Sequence, residues 1–103
     1  MGSQPGGVTA APNESSITAR LLSRERSEEF ADKWLLELHI QAIESIQGPT
    51  FARVGQEVKG FTFESLQQIV AGTIITAQAE YLGDARGGQF QLTNVQVVNQ
   101  EDR

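Results

Sequence analysis

The sequence predicts an all-β domain, a β-barrel of five strands with one short helix, and two observations lead there. Apolar and polar residues alternate in segment after segment, which is the period of a strand with one face in a core and one in water. One stretch, Phe63–Val70, breaks the alternation and adopts helical spacing, with Phe63, Leu66 and Ile69 or Val70 on one side. At 103 residues the chain has room for one domain and little else.

Residues 1–15, MGSQPGGVTAAPNES, are rich in Gly, Pro, Ser and other small residues and have no periodicity. They cannot bury enough apolar area to offset their ordering entropy, so a disordered tail is expected. The folded domain is expected over 16–99, and the polar residues 100–103 should fray. Ile17, Ala19 and Leu21, alternating with Thr18, Arg20 and Leu22, mark the first strand. Arg24–Asp32, RERSEEFAD, reads as a charged loop.

The run from Lys33 to about Ile46 is the longest strand. Trp34, Leu36, Leu38, Ile40 and Ala42 share its inner face, and Glu37, His39 and Gln41 its wet one. A strand this long should bend or bulge to wrap a barrel. Gly48–Pro49 marks a turn, and Val54–Phe61 a third strand with Gly55 and Gly60 as kinks. Thr62 is placed to cap the helix of about two turns over Phe63–Val70. Thr73–Leu82 is the fourth strand, with Ile75, Ala77, Ala79 and Tyr81 facing in. A Gly-rich turn, Gly83–Gly88, leads to the fifth strand, Gln89–Val98. Its inward set runs Phe90 and Leu92, then Val95 and Val97, so the register slips near Thr93–Asn94, as at a bulge.

Three strands, a short helix and a closing hairpin form a layout that resembles the oligonucleotide/oligosaccharide-binding (OB) fold over Ile17–Val98. The resemblance implies a five-stranded barrel with the helix plugging one end and a ligand face across strands two and three. The binding residues drawn from this layout depend on a barrel plugged by that helix. An SH3-like barrel is the competing architecture, although a helix rarely splits its strands at this point. The segments FARVGQEVKGF and AEYLGDARGGQFQL also resemble small cyanobacterial proteins of no assigned function, so no function follows from them.

Little in the chain points to catalysis. The absence of cysteine excludes disulfides and thiolate metal sites. His39 is the only histidine and has no evident partner to set its tautomer. Glu28, Glu29 and Asp32 cluster in a loop open to water, where nothing shifts a carboxylate toward acid–base work. The GDARGG run lies between two strands rather than between a strand and a helix, so it reads as a hairpin turn and not a phosphate cradle. No enzyme, cofactor or metal site is expected. No apolar run is long enough to span a membrane, and Met1–Ser16 lacks the basic start and apolar run of a secretory signal. A cytoplasmic protein without membrane insertion is expected.

With a net charge of −5, the chain reads as a non-enzymatic protein-interaction module or accessory subunit. The alternative is a single-stranded nucleic-acid binder, which needs aromatic platforms and cations. The residues expected to meet either partner are Arg26 and Phe30 in the first loop, Phe51 and Arg53 in the second, and Arg86 in the closing hairpin. Trp34, Phe61 and Phe63 are assigned to the core. The first loop sets Arg24, Arg26 and Lys33 against Glu25, Glu28, Glu29 and Asp32, a mixed surface. A contiguous positive stripe over strands two and three would favour nucleic acid; a mixed or acidic surface favours a protein.

Overall fold

The alternating segments pair edge to edge until the sheet closes on itself. A computed structural model describes residues 12–84 and 87–98. Its strands are β1 (Glu14–Arg26), β2 (Trp34–Gln47), β3 (Glu57–Thr62), β4 (Ile74–Asp84) and β5 (Gly87–Val97). They form a closed barrel in the order β1-β2-β3-β5-β4. Its neighbouring strands run antiparallel except β3 and β5, which meet in parallel at Gly60–Phe90 and Phe61–Gln91. β1 joins the two halves, pairing with β2 along one edge and with β4 along the other.

The core is the inward set of each strand. Ile17, Ala19 and Leu21 of β1 meet Trp34, Leu36, Leu38 and Ile40 of β2, Ile75, Ala77 and Ala79 of β4, and Phe90 and Leu92 of β5. Among the described residues no buried side-chain polar atom lacks a hydrogen-bond partner. β3 approaches β5 so closely that a Cβ on Gly60 would sit 2.9 Å from the Phe90 carbonyl oxygen. Glycine here permits the contact that closes the barrel.

Bulges bend the long strands, and they correct the expected facing. Thr18 pairs with Ala42 while Ala19 pairs with Ile40, so Gln41 is an extra residue on β2. Beyond it the faces exchange. Ala42, expected inside, is exposed, and Ile43 packs against the core instead. A second slip at Leu22 lets β1 run on through Arg24–Arg26, which were expected in a loop. On β5 the slip expected near Thr93–Asn94 is present, with Asn94 at φ 55. Val97 beyond it is 51% exposed rather than inward.

The boundaries also shift. β1 starts at Glu14, and Asn13 and Ser15 are buried, so 13–15 belong to the barrel rather than to a tail. Asn13 Nδ2 donates to the Tyr81 carbonyl, and Asn13 Oδ1 accepts the Tyr81 N–H, which extends the pairing by one side chain. Residues 1–11 and 99–103 lie outside the described residues. Val54–Gly55 is a turn, and β3 begins at Glu57.

The helix over Phe63–Val70 is absent, and no helix occurs among the described residues, so the binding residues drawn from a helix-plugged barrel lose that support. Its cap nevertheless forms: the Thr62 hydroxyl accepts the Glu64 N–H. The same hydroxyl donates to the Leu92 carbonyl, and the Ser65 hydroxyl accepts the Gln67 N–H. Ile69 N–H then reaches only as far as the Leu66 carbonyl, a single turn. Short side-chain bonds of this kind compete with a helical ladder, and eight residues are too few to overcome the cost of nucleating one. Leu66 still enters the core at 1% exposure, so an irregular segment supplies the apolar plug.

Candidate binding face

The antiparallel connections place the β1–β2 loop at one end of the barrel and the β2–β3 loop at the other. The expected site residues divide accordingly. Arg26 and Phe30 sit at the first end and Phe51 and Arg53 at the second, while Arg86 lies outside the described residues.

The β1–β2 loop, residues 27–33, is tied down by its own hydrogen bonds. Ser27 Oγ accepts the N–H groups of Glu29 and Phe30, Ser27 N–H donates to the Lys33 carbonyl, and Lys33 N–H donates to the Phe30 carbonyl. Arg26 Nη1 donates to the Ala31 carbonyl at 3.1 Å. The loop thus presents the Phe30 ring, 52% exposed, from a constrained backbone.

Phe51 does something else. Its ring stacks on Tyr81 at 4.8 Å and packs on the core, so it closes the far end of the barrel. Arg53 is exposed, its N–H donating to Gln56 Oε1.

The residues that extend the Phe30 surface are two that the sequence reading placed in the core. On β3, Val58, Gly60 and Thr62 oppose the inward Leu38, Leu36 and Trp34. Phe61 therefore lies on the outer face, opposite Leu35. It is only 7% exposed because neighbours cover it there: Lys33 Nζ sits 4.5 Å from its ring centre, and Phe63 meets it edge-on at 5.8 Å. Phe63 itself is 49% exposed. Lys33 Nζ also lies 5.5 Å from the Phe30 ring, so one ammonium bridges two aromatic faces. The alternation of Val58, Gly60 and Thr62 against Lys59 and Phe61 carried this signal. A glycine in the middle of the inward set hid it.

The same outer face carries polar pairs. Glu37 opposes Lys59, and His39 opposes Glu57. A shallow cleft of about 280 Å³ opens here between Ser23, Glu25, Leu35, Glu37, Lys59 and Gln89. No group of three or more His, Asp or Glu side chains among the described residues could hold a metal ion. Nor is any helix among them long and apolar enough to cross a membrane.

Comparison with models of known protein families and with curated proteins finds no match to this chain.

Proposed function

We propose that the protein is a non-enzymatic interaction module, an accessory subunit on an OB-like barrel, that docks a protein partner on the outer face of β2 and β3. The observation that carries this reading is the apolar group Phe30, Leu35 and Phe63, exposed together around the Phe61 ring. Aromatic anchors beside a polar rim are what a protein partner buries. Lys59 between Glu37 and Glu57 makes that rim mixed in sign, which suits charge complementarity with a protein more than the grip of a phosphate chain. The closed five-strand barrel is compatible with the OB-like assignment, and an OB barrel carries ligands on its second and third strands.

The test is affinity capture from the source cell with the wild-type chain, Phe30→Ser and Phe63→Ser as parallel baits. Loss of an anchor costs about 2 kcal/mol or more of binding free energy. A partner held by the wild type should therefore be depleted by both variants, which keep the wild-type melting temperature. If the wild type holds no partner, or all three baits hold the same one equally, the reading is wrong.

A second reading rests on Phe30, Phe61 and Phe63 around Lys33, the aromatic and cationic elements that single-stranded nucleic acid requires. Titration with labelled single-stranded DNA and RNA at low salt, where the counterion contribution is strongest, separates the two. Saturable binding that Phe63→Ser weakens would put nucleic acid first, and no binding at low salt removes it.

A further inference from the structure

We propose that Arg24 and Arg26, held against the Trp34 indole at the end of the barrel, form a recognition point for a single carboxylate on a peptide partner that also covers the neighbouring aromatic face. The inference rests on the protein-binding reading and names the chemistry of what is bound. Beyond the slip at Leu22, Arg24 opposes Leu36 and Arg26 opposes Trp34, both on the inward side of the sheet at the barrel's end. Their guanidinium carbons lie 4.9 and 5.0 Å from the centre of the Trp34 ring. Trp34 is buried and Arg24 half-buried, so Arg24 is partly withdrawn from water, while Arg26 is exposed beside it.

Stacking on an indole fixes a guanidinium plane and leaves its edge of N–H donors for an acceptor. Arg26 directs one donor to the Ala31 carbonyl and keeps others. A carboxylate accepts two parallel N–H bonds from such a fork, and the pairing strengthens where water is thin. Lys33, next to Trp34 in the chain, continues the positive groups to the Phe30 and Phe61 rings. The occupant that fits has an apolar side chain for the aromatic face and one carboxylate for the arginines.

A phosphate polymer fits less well. Glu25, Glu28, Glu29 and Asp32 are all exposed around this end, and a polyanion passing it would meet them. One carboxylate set between the arginines meets less of that repulsion than a chain of phosphates does.

Trp34 is the only tryptophan, so its fluorescence reports on the site directly. The full chain is titrated with a short blocked peptide carrying one glutamate between two leucines. The same peptide with glutamine, and a short oligothymidylate, are titrated in parallel. The expected result is a saturable change in emission with the glutamate peptide, about tenfold or more weaker with the glutamine peptide and weaker at higher salt. Arg24→Gln and Arg26→Gln should each lose a similar factor, and Arg24→Lys, which keeps the charge without the fork, should recover only part of it. The peptide comparison uses wild-type protein, so it decides the matter even if a variant folds poorly. No saturation with the glutamate peptide, equal binding of both peptides, or tighter binding of the oligothymidylate overturns the proposal. Those results leave the capture experiment on Phe30 and Phe63 untouched, so the two readings can fail separately.

Discussion

Glu64 shows how one side chain can replace a stretch of strand pairing. β3 ends at Thr62, so β5 beyond Gln91 has no backbone neighbour on that side. The Glu64 carboxylate supplies acceptors instead: Oε2 takes the Asn94 N–H at 2.6 Å and Oε1 takes the Val95 N–H at 2.9 Å. Both donors sit at the bulge where Asn94 adopts positive φ. Removing the carboxylate leaves them to water or to nothing. We expect Glu64→Ala to cost about 1–3 kcal/mol in urea unfolding, and Glu64→Gln less because one acceptor oxygen remains. Glu28→Ala, on an exposed loop, should stay within about 0.5 kcal/mol of wild type. The alternation in β5 made the bulge legible in the sequence. The residue that satisfies it is 30 positions away, and no local pattern could name it.

At the scale of elements, the segment from Phe63 to Val70 is where local periodicity and outcome part. Leu66 is buried as a helix would have it, but Phe63 and Val70, assigned to the same apolar side, face water. Leu66→Ala should therefore cost about 2–5 kcal/mol by opening a cavity in the core. Val70→Ala should change stability by no more than about 0.5 kcal/mol. A helix packed through both residues would make both substitutions costly, so comparable losses by calorimetry would restore that picture. The strands themselves were more legible. Each was placed within a few residues, because alternation over several residues is hard to satisfy in any other conformation. Their ends moved where a loop could extend the pairing, as Arg24–Arg26 did.

For the molecule as a whole, closure rests on the two-residue contact between β3 and β5, which makes Gly60 a sensitive position. Gly60→Ala places a methyl against the Phe90 carbonyl and should cost about 1–3 kcal/mol as the strands are pushed apart. Hydrogen exchange should rise in β3 and β5 more than along β1, which lies away from that contact and is paired over longer stretches on each side. Equal rates in all strands would place the weakest contact elsewhere. Strand pairing also determines the candidate site. The pairing of β2 with β3 sets Leu35 opposite Phe61 and gathers Phe30, Lys33 and Phe63 from two loops. It sends Phe51 and Arg53 to the opposite end.

The sequence by itself determined that the chain is all β and which residues make most of the core. Those properties follow from a period of two, written locally along each strand. It also put Arg26 and Phe30 at the surface, where both are exposed. Only the tertiary structure decided that the plug would be an irregular segment and that Phe61 would face outward. The extra residue at Gln41, which turns Ala42 to solvent, was decided there too. Each of these depends on which strand lies alongside and which distant group satisfies a given N–H, and pairing of that kind is absent from any local stretch of residues.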